Sequence, residues 1–356
     1  MPATSLKYDS RDLQACIAMM KGGSKTFFAA SRLLPMRVRA ASVALYAFCR
    51  VADDMVDQGG DVNANLALLR QRLDQIYDGS PTPAVEDQAL TLVVQQYQLP
   101  RLFLDALLEG FEWDALGRRY QTLEDLQSYA ARVAGTVGAM MSWIMGIKSP
   151  ATLARACELG VAMQLTNIAR DIGEDARNGR IYIPLAWLES ADIKVTDWLR
   201  DPQPTTVIKS LISRLLDEAD ILYQRAQSGI AELPPDCRAA ILAASSIYGE
   251  IGAQLRREGL DSITHRTVVS TTRKLVLLAA AWTQVRWIYV DTQQRAPLGA
   301  IRFLVDGCES NLKQRNATNH VPNKDMSQRI EWVIGLLERV ENERMGRRPI
   351  KISEQA

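Results

Sequence analysis

Histidine is almost missing from this chain: two among 356 residues, His265 and His320. That scarcity argues against a histidine-based nucleophile triad and against a multi-histidine metal site. Cysteine is sparse and scattered. The five (Cys16, Cys49, Cys157, Cys237, Cys308) form no CxxC unit, so neither a disulfide framework nor a structural zinc site is indicated. A reduced, cytoplasmic interior fits that usage best. An excess of charge is lacking too, because 42 Lys and Arg face 41 Asp and Glu, a net +1. No global field would draw in nucleic acid, so none is expected as a partner and any functional charge must be local. Apolar runs such as "LVLLAAAW" at 275–282 fall well short of the roughly 20 residues a spanning helix needs. The first fifteen residues lack the apolar centre of a signal peptide.

What is present is helical periodicity, almost throughout, in a chain that is 47% hydrophobic. Residues 37–57 place Val38, Ser42, Leu45, Phe48, Cys49, Ala52 and Val56 at intervals of three and four, one face of a helix. Similar runs cover 64–79, 101–116, 124–146, 151–175, 205–232, 236–258, 271–291 and 326–343, and alternating strand patterns are nearly absent. The reading is an all-α protein of about ten helices, with one large domain over 1–295. Residues 296–356 read as a linker, a terminal helix and a basic tail. Residues 174–188, ending a helix at Asn178-Gly179 and extending into Pro184, read as a surface flap.

Two short stretches carry the chemistry. "VADDMVD" at 51–57 and "RDIGED" at 170–175 each hold an Asp–three residues–Asp unit: Asp53 with Asp57, and Asp171 with Asp175. On a helix, positions i and i+4 lie about 40° apart, so each pair points one way. A lone unit of this kind is ordinarily a solvated helix face. Here "ALYAFCRVA" precedes one and "GVAMQLTNIA" the other, so the carboxylates project from apolar helix and need a cation or a cationic partner. Four carboxylates facing each other would offer oxygen ligands only, which selects Mg²⁺ or Mn²⁺ over zinc. Mg²⁺ held by a few carboxylates completes its shell with substrate phosphate. Arg50, Arg37 and Arg39 on the first helix, and Arg170, Arg177 and Arg180 around the second pair, fit a phosphate ligand. The small residues of "GTVGAMM" (135–141) read as a close helix–helix contact.

Four motifs then stand in order: "GSKTFFAASRLLP" (23–35), "LYAFCRVADDMVD" (45–57), "YAARVAGTVGAMM" (129–141) and "MQLTNIARDIGEDARNGRIYIP" (163–184). Together they resemble the squalene/phytoene synthase family of head-to-head prenyl synthases, over roughly residues 10–290, and most closely its bacterial phytoene-forming members. The resemblance implies an isoprenoid-synthase-type helical bundle, a single domain around a large central apolar cavity, with the aspartate motifs facing across it. It implies Mg²⁺-dependent condensation of two geranylgeranyl diphosphates through a cyclopropyl diphosphate, prephytoene diphosphate, to 15-cis-phytoene. No NADPH is expected. The rival within the family is a squalene- or hydroxysqualene-type synthase acting on farnesyl diphosphate; a non-catalytic helical scaffold is a further alternative.

Carried over by position, Asp53, Asp57, Asp171 and Asp175 would hold the metal ions. Arg50, Ser24, Lys25, Tyr248, Arg266 and Lys274 would contact phosphate. Phe27, Tyr46 and Tyr129 would stand by the reacting carbons, and Gln164 and Asn167 would line the second site. Tyr129-Ala130-Ala131 departs from the Tyr-Cys-Tyr of many members. A C40 hydrocarbon product implies peripheral membrane contact, through apolar residues near the cavity mouth and the basic tail, and handover to a phytoene desaturase.

Overall fold

The protein's structure, a computed structural model, describes residues 10–57, 61–288 and 295–318, with only the backbone described at 10, 25, 26, 57 and 311–318. The predicted helix at 326–343 and the basic tail lie outside the described residues. Contacts divide the chain after Cys308, and the described part of the second unit is a helix continuing to Thr318.

The first unit is helix after helix, with no strand among the described residues. In chain order they are α1 (Ser10–Gly23), α2 (Lys25–Ser31), α3 (Met36–Asp57), α4 (Val62–Asp78), α5 (Val85–Tyr97), α6 (Arg101–Ala115), α7 (Leu123–Ala130) and α8 (Thr136–Ile144). Then follow α9 (Pro150–Arg177), α10 (Leu185–Ser190), α11 (Val195–Arg200), α12 (Thr206–Glu232), α13 (Pro235–Arg257), α14 (Thr271–Gln284) and α15 (Arg302–Thr318). Boundaries follow local chemistry. Asp61 caps α4 by accepting from the backbone N–H of Asn63 and Ala64, and Gly79, at φ 77°, ends it in the left-handed region only glycine enters freely. Thr122 and Asp125 form a reciprocal capping box on α7. Pro150 opens α9, where its missing N–H has no helical partner to lose.

The central helix is α9, which packs along α12 and against α8 and α13. Its approach to α8 is backbone to backbone. A Cβ on Gly138 would stand 2.1 Å from the carbonyl oxygen of Ala156, and one on Gly160 would stand 2.2 Å from that of Ala134. The small-residue stretch is therefore a helix contact, as its composition implies.

Three expectations need correction. The run 124–146 is not one regular helix: a π turn over Ala131–Gly135 separates α7 from α8. Tyr129, Val133, Val137 and Met141 all line the same cavity at four-residue steps. In a regular α-helix each such step drifts about 40°, and the wider turn takes back part of that drift. The stretch after Asn178 is not a surface flap, because Ile181, Tyr182 and Ile183 are buried and pin it to the core. The start of the stretch read as a linker holds α15, whose Leu304, Val305 and Cys308 are buried.

Candidate functional site

One cavity of about 440 Å³ runs through the first unit. From α3 it takes Ser42, Leu45, Tyr46, Cys49, Arg50 and Asp53. From α9 it takes Thr152, Arg155, Ala156, Leu159, Gly160, Met163, Gln164 and Asn167, with further apolar walls from α6, α8, α12 and α13. The α9 row spans fifteen residues (167 − 152), or about 22 Å at 1.5 Å per residue. Both helices mix apolar and polar groups along the cavity, α9 presenting Thr152 and Arg155 at its N-terminal end, Ala156, Leu159, Gly160 and Met163 between, and Gln164 and Asn167 toward its C-terminal end. Asp53 ends the α3 row; Asp171 and Asp175 continue the α9 row at i+4 and i+8 from Asn167, just beyond the lining. Tyr46 feels the charge of Asp53 and Tyr248 that of Asp171, and the two tyrosines flank Phe27.

Electrostatics differ between the two acidic helix ends. Arg50 holds Asp54 through two contacts, Nε–Oδ2 at 3.0 Å and Nη2–Oδ1 at 2.6 Å, and reaches Asp53 at 3.7 Å. On α9, Arg170 Nε donates to Asp171 Oδ1 at 2.8 Å and Arg266 Nε to the same oxygen at 2.7 Å. Burial pushes the Asp171 carboxyl up, but the hydrogen bonds from Arg170 and Arg266 outweigh it and hold it below the usual range. Asp175 goes the other way: burial, then the Asp171 charge, push it up to about 7. Arg266 arrives on the loop after α13, and Gly173 admits that loop. A Cβ there would stand 2.6 Å from backbone atoms of Ser262 and Ile263. Arg177 fastens the same loop by donating to the Ile263 carbonyl at 2.9 Å.

Aromatic residues gather in the lining. Phe27, Tyr46 and Tyr248 meet in the lining, Phe27 standing 6.1 Å from Tyr46 and 5.7 Å from Tyr248 between ring centroids. Burial pushes the Tyr248 phenol up to about 12 and the Cys49 thiol up to about 12, so both stay protonated at neutral pH. Tyr129 also lines the cavity and is buried. Its hydroxyl donates to Asp114 Oδ2 at 2.6 Å, and the Tyr182 hydroxyl donates to Asp114 Oδ1 at 2.7 Å. Asp114 itself lines the cavity, and its charge adds to the pressure on Asp175. Sequence reading missed it. Its signal, a carboxylate closing the apolar run "LLEGFEWD", is one that any amphipathic helix could show.

Other predicted residues fall elsewhere. Ser24 caps α2, its hydroxyl oxygen accepting from Phe27 N at 3.2 Å, and is outside the lining. Lys274 stands on α14, also outside the lining. The side chains of Lys25 and Asp57 are not among those described. Arg37 and Arg39 do not serve this end: they lie sixteen and fourteen residues before Asp53, about 24 and 21 Å along the axis. Arg37 pairs with Asp236, and Arg39 donates to the carbonyls of Ser31, Arg32 and Leu34. Among the described residues, no three Asp, Glu, His or Cys side chains converge on one point.

A family model for squalene/phytoene synthase matches residues 20–274, which is most of the described chain and includes every predicted site residue. The chain belongs to this family. It is 50% identical over 271 residues to the phytoene synthase of Rhodobacter capsulatus, covering 75% of this chain and 80% of that one. Against the phytoene synthase of Cereibacter sphaeroides it is 45% identical over 320 residues, covering 86% and 90%. Among solved structures, a dehydrosqualene synthase in complex with ligand superposes with a TM-score of 0.70 at 30% identity, covering 78% of this chain and 97% of that one. Family membership accounts for the all-α bundle, and makes the cavity bounded by α3 and α9 the place to look for prenyl chemistry.

Proposed function

We propose that this enzyme is a phytoene synthase, joining two geranylgeranyl diphosphates head to head with release of two diphosphates. The observation that carries the reading is the chamber itself, walled by apolar groups of α3, α6, α8, α9, α12 and α13 and bordered by Asp53 and, one turn past Asn167, by Asp171. Such a shape separates a long hydrocarbon tail from a charged head. The relatives at 50% and 45% identity are named phytoene synthases, which favours the C20 substrate.

The donor set fits a hard divalent cation. Asp175, raised to about 7 by burial and by Asp171, is a carboxyl short of positive charge, and Asp53, Asp171 and Asp175 offer oxygen alone. Mg²⁺ bound there by Asp53 and Asp57 on one side and Asp171 and Asp175 on the other would supply Lewis-acid stabilisation of the departing diphosphate. Three carboxylates need not converge on one point, since phosphate oxygens complete a Mg²⁺ shell.

The chain's own residues do the rest. Arg50 and Arg266, both about half exposed, can exchange a carboxylate partner for a phosphate. Arg170 stays on Asp171 and keeps it ionised. The apolar walls exclude water from the allylic cation. The faces of Phe27, Tyr46, Tyr129 and Tyr248 can each stabilise it by about 2 kcal/mol when desolvated. Gln164 and Asn167 are amides on the wall two turns and one turn before Asp171, and can orient the second substrate's head.

Purified protein incubated with Mg²⁺ and geranylgeranyl diphosphate, without NADPH, should yield phytoene in the hydrocarbon extract. With farnesyl diphosphate alone it should yield little C30 product. A C30 hydrocarbon as the dominant product would move the assignment to the squalene-type branch.

A further inference from the structure

A guanidinium in the wall of a chamber suited to hydrocarbon tails calls for a reason. Arg155 lines the cavity from the N-terminal part of α9, twelve residues before Asn167 (167 − 155). That is about 18 Å along the helix axis, the reach of an extended C20 chain. On α9 the lining stops one turn further, at Thr152, whose hydroxyl pairs with Glu232 of α12. The Arg155 side chain is 9% exposed, and its Nη1 stands 2.9 Å from Oε2 of the fully buried Glu158. Arg225 of α12 grips the same carboxylate, donating from Nη2 to Oε1 at 2.6 Å and from Nε to Oε2 at 3.2 Å. The backbone N–H of Leu298 donates to Oε1 at 3.0 Å. In return the carbonyls of Arg295 and Ala296 accept from Arg155 at 3.1 Å and from Arg225 at 2.6 Å.

Such a cluster resists displacement. A tail pressing on Arg155 would have to draw a guanidinium off a buried carboxylate, leaving charge unpaired in a dry place. An apolar side chain there would yield by changing rotamer, whereas the tip of Arg155 is tied to Glu158 and to the Arg295 carbonyl. Its base is confined too, because a Cβ on Gly229 of α12 would collide with the Cβ of Arg155. We propose that Arg155 is the chain-length stop of the chamber, the side chain against which the far end of a C20 tail comes to rest. Glu158 and Arg225 are its positioning residues. This stop rests on the proposed function and deepens it, by naming what measures the tail. The backbone at 295–298 that completes it lies beyond residue 274, where the match to the family model ends.

The full chain with Mg²⁺ is given geranylgeranyl diphosphate or geranylfarnesyl diphosphate, one isoprene unit longer, and kcat/KM is read from the hydrocarbon formed. The wild type should favour the C20 substrate about tenfold or more. Arg155→Ala frees about the space of one isoprene unit, so the C25-to-C20 ratio of kcat/KM should rise about tenfold, chiefly through a lower KM for the longer substrate. Glu158 keeps Arg225 and the Leu298 N–H in that variant, and circular dichroism checks that it is folded. Arg155→Lys, which keeps length and charge, should hold the wild-type ratio. A purely structural Arg155 would slow both substrates alike and leave the ratio of a folded Arg155→Ala where it was, which overturns the proposal. Should Arg155→Ala not fold, Arg155→Met, which loses the planar fork, must raise the ratio, and an unmoved ratio there overturns the proposal equally. A wild type that condenses both substrates equally well removes the stop and leaves the proposed function standing. Absence of any hydrocarbon from the C20 substrate would instead sink the function, and the stop with it.

Discussion

The C-terminal ends of α3 and α9 carry the same spacing of aspartates and treat them differently. Asp53 is 43% exposed and shares Arg50 with Asp54, a loose arrangement close to solvent. Asp171 is 17% exposed and takes two guanidinium groups, while Asp175 beside it is held near neutrality by burial. One acidic end is nearly ready-made for a cation from solution. The other stores the cost of crowding carboxylates in a partly dry place. Identical spacing therefore does not mean identical energetics; burial sets the difference.

The largest effects should fall on turnover and be shared. Asp53→Asn and Asp171→Asn should each lower product formation about a thousandfold or more, the scale of removing a preorganised charge from the transition state. Helical content by circular dichroism should not change. Heat separates the two. Asp53→Asn should leave the melting temperature of metal-free protein within about a degree or two, the usual result for an exposed site. Asp171→Asn strands Arg170, only 17% exposed, and should destabilise by about 1–3 kcal/mol. Equal melting temperatures would break the comparison.

Asp175 gives the next effect, and its sign is opposite. Its folded value is raised to about 7 from an ordinary 3.8, so the folded state holds a proton that the unfolded chain releases. Its contribution to stability is fully present below the ordinary value and is lost as pH rises through about 7. Metal-free protein should melt lower at pH 8 than at pH 6, and Asp175→Asn should flatten that slope and melt higher at pH 8 while losing activity. Mg²⁺ competes with the same proton, so its affinity should rise across the same window. No pH slope in the melting temperature of the wild type beyond that of the variant would refute the crowding.

Gly173→Ala probes how the buried end is built. Its Cβ would collide with backbone at 2.6 Å, so the loop of Ser262 and Ile263 must retreat and carry Arg266 off Asp171. A loss of about 1–3 kcal/mol is expected, together with a raised KM for diphosphate substrate that Arg266→Gln reproduces without the loss of fold. Gly22→Ala, which meets nothing within 4 Å, is the control.

Much of this was legible in the chain and some was not, for physical reasons. The helices α3 and α9 announced themselves by period, and their aspartates by spacing, because both are local. The small residues around Gly138 and Gly160 marked a close contact for the same reason. Asp114 was invisible: its importance comes from Tyr129 and Tyr182, fifteen and sixty-eight residues away, donating to one carboxylate. The role of Gly173 depends on a loop some ninety residues downstream. Two readings were misled. The segment 180–184, read as a flap from its helix end and proline, is buried because Ile181, Tyr182 and Ile183 insert into the core, and α15 forms inside a stretch whose composition resembles linker, seated by Leu304, Val305 and Cys308.

The smallest effect tests whether Arg50 and Arg266 are equivalent, as a count of basic residues near aspartates would suggest. Arg50 is 45% exposed and its partners Asp53 and Asp54 are 43% and 39% exposed, so water screens the pair. Such pairs contribute about 0.2–1 kcal/mol, and Arg50→Gln should barely move the melting temperature of the metal-free protein. Arg266 is itself 55% exposed, but its partner Asp171 is not. Removing it takes away one of the two guanidinium groups that hold Asp171 low, so the carboxyl should rise. The protein should then lose part of the stability that the lowered carboxyl contributes above its ordinary value, a change in pH profile that Arg50→Gln should not cause. Titration of metal-free melting temperature in the two variants decides the matter. If both leave the pH profile untouched, Arg170 alone suffices to hold Asp171 ionised, and the contrast between the two acidic ends rests on Asp175.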